Sequence, residues 1–144
     1  MICVAGRGPF DDVVSTMLAQ LLERAGAPAR TVPHSDVSRV RLTALDLQGI
    51  SVIALSYLDM TGVSSHLRFL MRRLRQHAPG TAVVVGLWPA PADDAEPADR
   101  EAIGADVYVS SLREALDAVM QRLDMTNARP RSTEGSSEGT ASRA

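Results

Sequence analysis

Lysine is missing from this 144-residue chain; all fifteen basic residues are arginine. Chemistry that needs a lysine amine is thereby excluded, including Schiff-base formation and the lysine of a P-loop. Cysteine is nearly missing. Cys3 stands alone in an apolar run, so no disulfide can form within the chain and a zinc cluster would lack ligands. It reads as a small buried hydrophobe in a reducing compartment. Aromatic residues make up 3% of the chain against 45% hydrophobic residues, so the core must be built from Val, Leu, Ile, Ala and Met. No apolar run approaches the roughly 18 residues of a membrane span, and the opening MICVAG is too short for a secretory leader. A net charge of −2 gives no global attraction to nucleic acid. The expectation is a soluble cytoplasmic domain, at most resting on the inner face of the cell membrane.

What is present alternates between two periods. ICVA (2–5) reads as a buried strand closed by GRGP. From Asp11 to Ala25 the pattern turns helical, with Val14, Met17, Leu18, Leu21 and Leu22 on one face and Gly26 at the end. ARTVP (29–33) is a second strand, after which Ser35 or Asp36 can cap a short helix through Val40 and Leu42. SVIALS is the third strand. Ser64 to His77 forms a helix with Leu67, Leu70, Met71 and Leu74 inward and Arg68, Arg72 and Arg75 opposite. TAVVVGL (81–87) is a continuous apolar run, as a strand covered on both faces requires. A short helix is predicted near 98–103, a fifth strand over 105–109, and a last helix capped by Ser110 or Ser111. From Asn127 onward there is no Val, Leu, Ile, Met or aromatic residue, so 127–144 reads as a disordered tail beside a domain over 1–126. Five buried strands alternating with helices predict an α/β three-layer sandwich with a five-stranded parallel sheet in flavodoxin-like order.

Ligands of such a fold bind where the strands end at their carboxyl side. The predicted crevice therefore gathers Arg7 and Asp11 behind the first strand, Ser56, Tyr57 and Asp59 behind the third, Gly86 and Trp88 behind the fourth, and Ser110 behind the fifth. Asp59 stands where a receiver domain carries its phosphoacceptor, or it simply caps a turn. A receiver also needs an acidic pair directly behind the first strand, Ser or Thr behind the fourth and Lys behind the fifth. Here Asp11 and Asp12 lie beyond GRGPF, Leu87-Trp88 and Ser110-Ser111 fill the other places, and no Mg²⁺ site results. GRGP is a weak phosphate loop; Arg7 and the helix start can take a sulfate-sized anion, or the segment is only a turn in which Pro9 sets the start of the helix. His34, His66 and His77 are too scattered for a metal motif. Arg68, Arg72 and Arg75 form either a solvated face or a surface for an acidic partner or anionic lipid. Trp88 either plugs the crevice or anchors a partner. With no nucleophile–base pair and no paired carboxylates, an enzyme is not expected.

Three segments in order resemble the cobalamin-binding domain family: ALSYL (54–58) its Ser-x-Leu strand end, AVVVGLWP its strand ending in Gly-Gly, and IGADVYVSSLREALDAV its closing stretch. LLERAG precedes the second strand as it does there. The likeness spans about residues 2–122 and implies the fold. It also implies a lost cofactor site. The family ligates cobalt through the His of an Asp-x-His-x-x-Gly loop; aligning LLERAG puts Pro9, Asp11 and Val14 at the three motif positions. Ser56 keeps the residue facing the nucleotide tail, while Leu87 replaces the second Gly after Gly86 and, with Trp88, adds bulk where that tail would enter. No cofactor is expected.

VAGRGPFDD, VPHSDVSRVRLTALDLQGISVIALSYLD, HLRFLMRRLRQ and GADVYVSSLREAL are in addition similar to the cytoplasmic C-terminal extension of some transporters of the autoinducer-2 exporter-like family. That resemblance implies a non-catalytic sensing or interaction domain accessory to a membrane transport domain, on the same polypeptide or as a partner; Met1 would then not be the native start. A free-standing carrier of a corrinoid or other small molecule, and a degenerate receiver-like interaction domain, are the alternatives. A homo-oligomer stays open.

Overall fold

The computed structural model describes all residues except 38–45, 59–62, 89–100, 102 and 129–144. Five parallel strands form one sheet: β1 (Ile2–Ala5), β2 (Arg30–Val32), β3 (Val52–Tyr57), β4 (Ala82–Leu87) and β5 (Val107–Val109), in the order β2-β1-β3-β4-β5. Helices α1 (Pro9–Arg24), α2 (Val63–His77) and α3 (Leu112–Ala128) cover it. A 3-10 turn spans His34–Asp36. This is the flavodoxin-like arrangement, with the order reversing between β1 and β3. Of the helix predicted near 98–103, Glu101 and Ile103 are helical and the rest lies outside the described residues. The helix through Val40 and Leu42 also lies outside them, while Ser35 and Asp36, expected to cap it, stand inside the 3-10 turn, whose N-cap is Pro33. α3 continues through Asn127 and Ala128, two residues past the predicted edge of the tail, whose remainder, 129–144, is likewise outside.

The two-residue period of each strand sends side chains to two cores. Ile53, Leu55, Tyr57, Val83, Val85 and Leu87 pack with Leu67, Leu70 and Leu74 of α2. Cys3, Ala54, Val84 and Trp88 pack on the other face with Leu18 and Leu22 of α1 and Ala115 and Val119 of α3. Both faces of β3 and β4 are covered, which is why their sequences run apolar without alternation.

Two expectations are corrected. Met17 is 47% exposed. The buried face of α1 is Asp11, Ser15, Leu18, Ala19 and Leu22; because it includes two polar residues, an apolar-only reading rotated the helix toward Met17. Leu87 does not fill the crevice beside Gly86, since it points to the α2 side of the sheet with Val83 and Val85.

Gly26 follows α1 at φ +87, a left-handed conformation that costs glycine no Cβ clash, and its N–H closes the helix on Glu23 O at 3.0 Å.

Candidate functional site

The carboxyl ends of β1 and β3 are joined by one carboxylate. Asp11 sits at the third helical position of α1, is 3% exposed, and turns back toward the loop that precedes the helix. Its Oδ2 accepts the N–H groups of Arg7 at 2.7 Å and Gly8 at 3.2 Å. Its Oδ1 accepts the N–H of Leu58, just past β3, at 2.7 Å. The Gly8 bond is half of a capping box, satisfying a donor that the helix start leaves open. Gly6 N–H adds a bond to Ser56 O at 2.9 Å. Gly6 must be glycine for this closure: a Cβ there would stand 2.5 Å from Tyr57 Cδ1 and 2.7 Å from Asp11 Oδ2. The Asp11 carboxylate is thus spent on three backbone donors.

Ser56 and Tyr57, neighbours in sequence, face opposite sides of the sheet. Tyr57 points to the α2 side, fully buried, and its hydroxyl meets His66 Nδ1 at 3.0 Å, with the two rings edge to face. Burial and the Asp11 charge push the Tyr57 hydroxyl well above its ordinary pKa. Burial, aided by Arg7 and opposed by Asp11, lowers that of His66. The pair therefore stays neutral around pH 7.

Ser56 points to the α1 and α3 side. It is fully buried, and its hydroxyl has no hydrogen-bond partner among the described residues. Its register partner on β4 is Gly86. The indole of Trp88 lies folded against Gly86; a Cβ on that glycine would run into the six-membered ring and stand 2.7 Å from Cε2. Trp88 is only 7% exposed, its backbone N–H bonds to Tyr57 O at 2.8 Å, and its indole Nε1 also lacks a partner among the described residues. Trp88 is thus packed against its own sheet rather than standing out at the surface.

Past the carboxyl ends of β1 and β3, Arg7, Gly8, Pro9, Phe10, Asp11 and Leu58 line a depression of about 300 Å³. Phe10 at its rim is 75% exposed, and Val13 is exposed one turn on. Ser110 belongs to a cap. Its N–H and hydroxyl both donate to Glu114, at 2.9 and 3.2 Å, while Glu114 N–H donates to Ser111 Oγ at 3.2 Å. Asp59 lies outside the described residues.

The arginines of α2 separate. Arg75 donates to Thr81 O at 2.9 Å and Gly104 O at 3.2 Å and pairs with Asp106 at 2.9 Å; Arg68 and Arg72 remain at the exposed surface. Three relationships escaped the sequence reading: Asp12 with His34, where Oδ1 accepts His34 N–H at 2.7 Å and Oδ2 lies 2.5 Å from Nδ1; Tyr57 with His66; and Arg75 with Asp106. The first had a signal, since Asp12 and His34 both follow carboxyl ends of adjacent strands. Among the described residues, no group of His, Cys, Asp and Glu can hold a metal, and no helix is long and apolar enough to cross a membrane.

No family model matches the chain, and no curated protein matches it. Solved structures do. A novel cobalamin-binding protein from Desulfitobacterium hafniense DCB-2 superimposes with a TM-score of 0.63 at 14% identity over 84% of this chain, which spans 57% of that protein. A CheY-like response regulator receiver domain protein from Methanospirillum hungatei JF-1 gives 0.59 at 15% identity, covering 88% of this chain and 94% of that one. The receiver domain of the Francisella response regulator 1452 gives 0.57 at 20% identity, covering 87% and 97%. At these identities the likeness is one of fold: this chain shares the flavodoxin-like frame common to a cobalamin-binding protein and to CheY-like receivers.

Proposed function

We propose that this chain is a non-catalytic sensing or interaction domain, built on a cobalamin-type frame whose crevice is filled by its own side chains, and accessory to a membrane transport domain. The observation that carries the reading is Trp88 against Gly86. A planar group entering beside Ser56 would need the space the indole holds, and core space of this kind resists extra volume at about 1–3 kcal/mol for even a few methylenes. Asp11 supports it from the other side, because its carboxylate is committed to backbone donors and is a harder, poorer cobalt ligand than imidazole. The transport association rests on the resemblance of the sequence to the cytoplasmic extension of autoinducer-2 exporter-like transporters. Any small-molecule ligand of the domain would then be smaller than a corrinoid.

A receiver-like interaction domain is the second reading, favoured by the end-to-end match to receiver domains. It works through protein contacts rather than phosphorylation, because Ser110 stands behind β5 where the phosphate-sensing lysine would be.

The test is to mix the purified chain with hydroxocobalamin. The expected result is an unchanged corrinoid absorption spectrum and no colour retained on gel filtration. A stoichiometric coloured complex would replace this reading with that of a corrinoid carrier.

A further inference from the structure

We infer that the outward face of α1 seats a second copy of this chain, with α1 packed antiparallel on α1 about a two-fold axis. The inference does not rest on the function proposed above. α1 is apolar on two sides. Leu18, Ala19 and Leu22 face the sheet and are buried in its core. Phe10, Val13 and Met17 stand outside, each about half exposed or more, with half-buried Val14 and Leu21 beside them. Spacings of three, four and seven residues from Phe10 mark a second amphipathic stripe. A helix with apolar residues on both sides needs cover on both.

The stripe carries no charge. The exposed residues of α1 up to Gln20 are Pro9, Phe10, Val13, Thr16, Met17 and Gln20 itself. α3, on the same side of the sheet, shows Arg113, Glu114 and Asp117 to solvent near its start. Interface cores are depleted of charge and enriched in aromatic residues and Met, whereas a solvated helix face carries charge.

The ends of the helix choose the occupant. α1 starts with Asp11 and Asp12 and has Arg24 in its last turn. Two copies laid parallel would set their acidic first turns side by side. Antiparallel copies set Arg24 beside the second copy's acidic turn and oppose the helix dipoles favourably. Arg24 continues the line of Phe10 and Met17, while its neighbour Glu23 stands about 100° round the helix, off the stripe. The line Phe10, Val13, Met17, Gln20 has its midpoint at Ser15. A two-fold axis there sets Val13 against the second copy's Met17 and Phe10 against its Gln20, so one patch serves both copies, as a two-fold contact requires. A face about three turns long covers less than the roughly 800 Å² per partner of a standard interface, so the dimer is weak and forms at high concentration.

The test is sedimentation equilibrium of the full chain from about 10 μM to about 1 mM. The expected result is a reversible monomer–dimer equilibrium. Met17→Glu should raise its dissociation constant about tenfold or more, by burying an unpaired carboxylate, without lowering the melting temperature. Arg24→Glu should weaken it less, and mainly at low salt. Met125→Glu, at an exposed methionine of α3, should leave it unchanged. Oxidative cross-linking reads the orientation, since Cys3 is buried and stays out of the reaction. When Val13→Cys chains are mixed with tagged Met17→Cys chains, mixed dimers should exceed their random share by far. A monomer throughout the concentration range overturns the inference and leaves the stripe to a partner of another kind. So does equal weakening by Met125→Glu, which marks non-specific apolar association. Like pairs that cross-link at least as well as mixed ones overturn the antiparallel seat.

Discussion

Leu58 N–H donates to Asp11 Oδ1 at 2.7 Å across 47 residues of chain. With the Arg7 and Gly8 bonds, this one carboxylate fixes the loop behind β1 against the end of β3. Removing it leaves three backbone donors without their acceptor in a part-buried place. Asp11→Ala should therefore cost at least about 2 kcal/mol in urea denaturation. A loss within about 0.5 kcal/mol would mean that water replaces the carboxylate and that the loop is not held by it.

Gly86 and Trp88 should be energetically coupled. Gly86→Ala forces a Cβ into the indole, and overpacking of this kind costs about 1–3 kcal/mol. In a Trp88→Leu background the same change should cost well under half as much, because the obstructing ring is gone. A double-mutant cycle reads the difference directly. Additive losses would show that the two residues do not share the space.

Cys3 is fully buried in β1, and burial pushes its thiol up to about 12. The thiolate is the reactive form. The folded chain should therefore resist a disulfide reagent at pH 8, and one thiol per chain should appear on adding denaturant. Rapid labelling of the native protein would place Cys3 in an opening segment.

Stability should fall on the acid side, for reasons that can be signed. His66 is lowered by burial from its ordinary 6.5, so as pH drops below that value the unfolded chain binds a proton that the folded one refuses. Asp106 is opposed by burial, but the Val83 N–H and Arg75 outweigh it and hold its carboxyl low. Glu114 is lowered first by the Ser110 N–H. The stability these carboxylates contribute is present above the ordinary carboxylate range and is lost as pH falls through their folded values. Melting temperature should thus decline below about pH 6.5 and more steeply below about pH 4. His66→Gln should remove the first decline and leave the second. A melting temperature that rises between pH 6.5 and 5 would contradict the assignment.

The fold was legible because continuous apolar runs such as AVVVGL and VIALS have only one use, a strand covered on both sides. The sheet order followed from the crossover rule. The site was legible only as a neighbourhood. Strand ends told where to look, but nothing in the sequence around Asp11 signalled that its carboxylate reaches Leu58, 47 residues on. Bonds of that kind depend on the close approach of β1 and β3, which no local pattern encodes. Likewise Arg75 shares a helix face with Arg68 and Arg72 in sequence; only the packing of Gly104 and Asp106 beside α2 sets it apart.

The account turns on Trp88 filling the crevice, and Trp88 is the sole tryptophan of the chain. Its fluorescence is therefore a direct reading of the plug. At 7% exposure the indole should emit at the short-wavelength limit of buried tryptophan and resist quenching by acrylamide, shifting to the solvated value only as the whole domain unfolds. Emission and quenching typical of a solvated indole in the folded protein would mean that the slot beside Ser56 stands open, and the proposal of a self-filled crevice would fall.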